Sequence, residues 1–223
     1  GLETMSLAVY VLVCGRRLSL ESGEAALKYL LLGSFAAAVL LMGMALVYGF
    51  AGGTGYDDLA AAMNRTGGRS LLLSAGLGLM LVGFGFKIAA VPFHMWTPDV
   101  YDGAPAHVTG FMATAVKAAA FAALLRFASL TAPNLAPVWF NLLTVLAVLT
   151  MPLGNLIALV QSHMKRLLAY SSIAHAGYLL LGVLAMIAPG RGDDVAGSAG
   201  GGVLFYLVGY CLMNLAAFGV IAQ

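Results

Sequence analysis

Two lysines interrupt apolar stretches in which nothing structural calls for a charge. Lys87 lies in LVGFGFKIAAVPF and Lys117 in VTGFMATAVKAAAFAALL. A lysine near mid-bilayer costs about 2.5–3.5 kcal/mol on insertion scales. Two such costs in consecutive spans point to the charges themselves as the function. Desolvation disfavours a buried ammonium and a nearby carboxylate favours it, so a lysine balanced between them exchanges protons when a neighbouring charge moves. That is the chemistry of a proton relay. Glu3 supplies a candidate carboxylate, since it precedes Arg16 by about 20 Å of helix. The alternative for Glu3 is a chance charge near the end of the chain.

Other titratable groups are less sharply placed. In KRLLAYSSIAHAGY, Ser171, His175 and Tyr178 recur at i, i+4 and i+7 and so share a helix face. A histidine among hydroxyls passes protons near neutral pH; it also serves as an ordinary hydrogen-bonded packing residue. His94 follows Pro92 at once, where the helix should break, whereas His107 and His163 lie in or beside loops. Lys28 follows Glu24 by four residues, the spacing of a helical ion pair. A snorkelling interfacial lysine and a relay lysine both fit it.

The elements that must hold these groups are membrane helices. The chain is 61% hydrophobic and 9% charged, against roughly 25% charged in soluble domains. Seven apolar runs cover 1–14, 27–50, 71–93, 107–129, 136–160, 167–188 and 201–222. Their length and lack of alternation exclude a barrel wall. The fold class is therefore all-α, a polytopic transmembrane bundle forming a single membrane domain. The first run reaches Arg16 before the ~20 residues that a span needs, so the expectation is an interior piece of a longer membrane protein.

Arg16 and Arg17 after the first run, and Lys165 and Arg166 after the fifth, fall on one side and mark it as cytoplasmic. The acidic loop with Asp99 and Asp102 falls on that side too. Pro92 predicts a broken helix beside Lys87, with a carbonyl freed at residue 88. Irregular backbone at this depth is tolerated where it lines a cavity or is packed in protein. Pro152, Gly154 and Asn155 suggest a second loosened stretch or a packing kink. The Gly-rich residues 189–202 read as a flexible loop.

A net charge of +2 gives no reason to expect nucleic acid. Cys14 and Cys211 lie in apolar runs without metal-ligand spacing and read as buried apolar residues. No phosphate loop, dinucleotide fingerprint or nucleophile elbow occurs.

FGFKIAAVPFHMWTPDVYDGAP, then ATAVKAAAF, then HMKRLLAYSSIAHAGYLL resemble the antiporter-like proton-channel subunits of respiratory complex I, the NADH:quinone oxidoreductase. ESGEAALKYLLLGSF fits as well, and the likeness covers essentially the whole chain. The resemblance implies an inverted-repeat fold with a broken helix in each repeat. It makes Glu3 the acidic residue of the family's fifth helix, Lys87 the lysine of the broken seventh and Lys117 the central lysine of the eighth. Lys28 and His175 match positions with less certain polar roles, and His94 is a weaker candidate.

It further implies a multi-pass protein of the bacterial inner membrane, working as a translocase subunit beside other membrane subunits of the complex. No redox cofactor is expected in this chain. NAD(H), FMN, iron–sulfur clusters and quinone belong to partner subunits, so contact with the quinone pool is indirect. A multisubunit cation/proton antiporter is the alternative, and a purely structural membrane anchor is a third reading.

Overall fold

A computed structural model describes residues 2–16, 19–68, 70–188, 190 and 192–223; within its helices the side chains of residues 2, 3, 132–138 and 193 are not described. Every regular element among the described residues is helical. The chain opens with α1 (Leu2–Val13), which carries Glu3 on its backbone, and α2 (Leu20–Ala51). The second helix starts seven residues before the apolar run because the Ser19 hydroxyl accepts the Ser22 N–H and caps it. A short surface helix, α3 (Tyr56–Thr66), precedes α4 (Leu71–Ile88). Cys14 is exposed in the turn after α1 and Cys211 is half-buried, so neither is the fully buried residue expected.

The run 71–93 is broken, but earlier than Pro92 alone would require. Ala89 adopts a left-handed conformation at φ 60°, unusual for a residue with a Cβ. The Ala90 N–H returns to the Gly85 carbonyl at 2.8 Å, closing α4 at Ile88. Pro92, joined to Val91 by a cis peptide, lies in the following turn, so it does not unseat a helical carbonyl at residue 88. The chain resumes as α5 (Trp96–Gly103) and then α6 (Ala106–Phe111). Next comes a wide π-helical turn, Met112–Val116, which leads into α7 (Lys117–Ala158).

Helical backbone continues through the loop expected between the runs 107–129 and 136–160. It does not continue as one straight rod. Phe127 and Trp139 would lie about 18 Å apart along an axis, yet their rings pack edge-on at 6.0 Å. The chain therefore folds back between them, in a stretch whose sequence holds Pro133 and Pro137. The remaining helices are α8 (Met164–Ile187) and α9 (Asp193–Ile221). Much of the Gly-rich stretch is thus the first turns of α9 rather than a loop. Among the described residues, six helical segments are long and apolar enough to cross a membrane.

Two apolar clusters hold the bundle. One gathers Phe84, Phe121, Phe127, Trp139, Leu143 and Leu180 from α4, α7 and α8. The other runs as an aromatic file across α1, α2, α5 and α9. Tyr10 meets Tyr29 edge-on at 4.7 Å, Tyr29 stacks on Trp96 at 4.6 Å, and Tyr101 and Phe218 continue it. Gly154 serves packing, whereas Pro152 is exposed. A Cβ on Gly154 would come within 2.6 Å of the Ala174 nitrogen, so its absence lets the C-terminal half of α7 lie against α8.

Candidate functional site

Lys87 sits in the last turn of α4, directly before the break, and is only 4% exposed. Its ammonium donates to the Ser6 hydroxyl of α1 at 2.6 Å. Ser6 follows Glu3 by one helical turn, and the Glu3 side chain lies outside the described residues. The break is tied down on both sides. The Val91 N–H donates to the Thr150 hydroxyl of α7 at 3.0 Å, and the Trp96 indole donates to the Phe86 carbonyl at 3.1 Å. Irregular backbone next to the lysine is therefore hydrogen-bonded protein rather than frayed helix.

Lys117 is 2% exposed. It is the first residue after the π turn, a distortion that recurs at functional positions in helices. The Thr114 hydroxyl stabilises this turn by donating to the Gly110 carbonyl at 2.7 Å. The Lys117 ammonium donates to the carbonyl and the hydroxyl of Ser172 on α8, at 2.7 and 2.5 Å. It also lies 5.7 Å from the centre of the Tyr210 ring on α9, within cation–π range. The Tyr210 hydroxyl donates to the Ser172 hydroxyl at 2.7 Å. One serine of α8 thus joins the lysine of α7 to a tyrosine of α9.

His175 lies one turn beyond Ser172. Its Nδ1 is 2.5 Å from the Tyr206 hydroxyl, and its ring packs against Tyr178, Tyr206 and Tyr210 at 5.2–5.8 Å. Tyr178 in turn accepts from the Asn155 amide at 2.7 Å. The face read from the sequence holds for His175 and Tyr178. The serine that engages the lysine, however, is Ser172 rather than Ser171. Tyr206 and Tyr210 had no local signal, because they reach the site from α9 across more than thirty residues of chain. His94 is half-buried at the break, and its Nδ1 has no hydrogen-bond partner among the described residues.

Lys28 is in different surroundings. Its side chain is 42% exposed and pairs with Glu24 at 2.7 Å and with Asp99 at 2.9 Å. Asp99 also accepts from Arg166 at 2.8 Å. With Glu21 and Asp102 these residues line an open polar cleft of about 200 Å³. Burial alone would raise the Asp99 pKa, but hydrogen bonds and charge from Lys28 and Arg166 outweigh it and hold the carboxyl below its ordinary value. Lys165 donates to the Asp102 and Ala104 carbonyls. The cleft therefore gathers the beginning of α2, the acidic 99–102 segment and the basic start of α8 at one end of the bundle, the arrangement that the charge rule required. Among the described residues, no group of three or more His, Cys, Asp or Glu is placed to hold a metal.

The transmembrane family described as NADH:quinone oxidoreductase/Mrp antiporter matches residues 1–223. NADH-quinone oxidoreductase subunit N of Trichlorobacter lovleyi is 50% identical over 222 residues, which make up 99% of this chain and 44% of that protein. A chain of respiratory complex I from Thermus thermophilus, solved with bound aureothin, superposes with a TM-score of 0.78 at 46% identity, covering 100% of this chain and 45% of its own length. A chain of the membrane-bound sulfane sulfur reductase, an archaeal respiratory membrane complex, gives 0.83 at 27% identity, covering 98% of this chain and 44% of its own. The chain thus spans less than half the length of the relatives it matches. With its buried lysines, broken helix and apolar spans, it belongs to the NADH:quinone oxidoreductase/Mrp antiporter transmembrane family.

Proposed function

We propose that this chain is part of a proton-translocating membrane subunit of NADH:quinone oxidoreductase in the bacterial inner membrane. Protons would pass by way of Glu3, Lys87 and Lys117, with His175 beyond them, driven by quinone reduction elsewhere in the complex. NAD(H), FMN, iron–sulfur clusters and quinone would be held by partner subunits, and neighbouring antiporter-like subunits would flank this one. The observation that carries the reading is the burial of Lys87 and Lys117. Each is given a hydroxyl on another helix and each sits at a helix irregularity. Proton transfer needs a donor and an acceptor within hydrogen-bond reach, and a lysine–serine contact at 2.5–2.6 Å supplies one. The tyrosines around Ser172 and His175 extend the hydroxyl file toward α9. His94 stands beside the break as a secondary candidate, and Lys28 at the rim.

The test is Lys87→Ala in the full-length protein, with assembly of the complex verified. NADH oxidation and proton uptake are followed together in inverted membrane vesicles. Loss of a positioned proton carrier costs a factor of roughly 10² or more in general acid–base steps. In a tightly coupled complex both rates should therefore fall steeply. Unchanged rates would remove Lys87 from the relay and favour the cation/proton antiporter or a structural anchor.

A further inference from the structure

We propose that Asp99 is a positioning residue: it clamps α5 between α2 and α8, and α5, so clamped, sets the two lysine sites relative to each other. This rests on the relay reading above. Trp96, Val100 and Tyr101 of α5 are buried in the aromatic cluster. Polar contacts add ties at three levels. At its start, the Trp96 indole holds the carbonyl of Phe86, the residue next to Lys87, while the ring stacks on Tyr29 of α2. At its middle, Asp99 gives one carboxylate oxygen to Lys28 of α2 and the other to Arg166 of α8. At its end, Lys165 binds the Asp102 and Ala104 carbonyls, where a cation suits a helix C-terminus. Gly103 lets this end lie flush on α2, since a Cβ there would meet Ala25 at 2.6 Å.

Between these anchors, the Tyr101 carbonyl accepts from the Thr109 hydroxyl at 3.1 Å, in the helix that leads through the π turn into Lys117. Trp96 and Tyr101 are five residues apart, about 7.5 Å of helix. One segment therefore touches the surroundings of Lys87 and the helix that leads into Lys117, and Asp99 is its side chain that pairs with cations on two helices. Lys28, one of the candidate relay residues, is on this account a partner in the clamp. Glu24 shares Lys28, so the ammonium stays paired when Asp99 is removed.

The experiment compares Asp99→Asn, Asp99→Glu and Lys87→Ala in the full-length protein within the assembled complex. It reads amide hydrogen exchange over residues 96–104 and NADH-driven proton uptake in inverted vesicles. In Asp99→Asn, exchange over 96–104 should rise about three- to tenfold, the size expected when two partly exposed ion pairs are lost. Proton uptake should fall with it, and Asp99→Glu should restore most of both. Should Asp99→Asn not assemble, Lys28→Gln leaves the Arg166 pair and should show a smaller rise in exchange. Unchanged exchange in the Asn or Gln variant overturns the clamp. So does a raised exchange with normal proton uptake, or a Glu variant as impaired as the Asn one. Normal uptake in Lys87→Ala would instead overturn the relay reading.

Discussion

Lys117 has three N–H bonds to give, and two of them go to a single residue, Ser172. The carbonyl would remain whatever side chain stood there. The hydroxyl is the part that also accepts from Tyr210. A hydrogen bond to a charged group contributes about 1.5–3 kcal/mol, so Ser172→Ala should slow NADH-driven proton uptake by about tenfold or more. Ser171→Ala should leave it nearly unchanged. A larger loss from Ser171→Ala than from Ser172→Ala would mean that the face read from sequence spacing is the working one. The lysines themselves were legible because a charge in an apolar run has no bland explanation. The serine was not, since hydroxyls are common in membrane helices and only the rotation of α8 decides which of two neighbours faces the lysine. Tyr206 and Tyr210 were out of reach for a different reason: nothing local ties α9 to α8.

At the level of elements, the broken helix was announced by Pro92, although a left-handed Ala89 ends the helix before the proline acts. The π turn ahead of Lys117 had no herald. MATAV is ordinary helical sequence, and the widened turn is defined by where the Thr114 hydroxyl and the backbone find partners. Glycines divide in the same way. Gly154 and Gly78 look alike in the sequence, yet the first has the Ala174 backbone against it and the second has nothing within 4 Å. Overpacking a tight contact costs about 1–3 kcal/mol, whereas relieving an open helical glycine gains roughly 0.5–1 kcal/mol. Gly154→Ala should therefore lower the temperature at which the solubilised complex loses this subunit, and Gly78→Ala should hold or raise it. The opposite order would mean that α7 and α8 are not in contact at residue 154.

Over the whole molecule, charge and apolar surface are sorted by position. Large apolar side chains stay on the outside of α2 and α9, among them Leu31, Phe35, Phe205 and Leu212, as expected of surfaces that meet lipid or neighbouring helices rather than water. The polar cleft gathers Glu21, Glu24, Lys28, Asp99, Asp102 and Arg166 at one end. The sequence foretold this sorting through Arg16, Lys165 and Arg166, because basic residues that fix orientation act locally and survive any packing detail. It could not foretell that the acidic loop on the same side would bind two of the cations directly. The 32 residues of α2 extend about 48 Å, more than the roughly 30 Å hydrocarbon core. Glu24 near its start and Asp57 just past its end therefore lie on opposite sides of the membrane. In a Cys14→Ser, Cys211→Ala background, Glu24→Cys should react with a membrane-impermeant maleimide in inverted vesicles and be protected in right-side-out ones. Asp57→Cys should do the reverse. Labelling of both from one side would mean that α2 does not span, and the opposite pattern would turn the bundle over. The ionic cleft would then face the periplasm, and protons taken up from the cytoplasm would have to reach Lys117 without passing the Asp99 clamp.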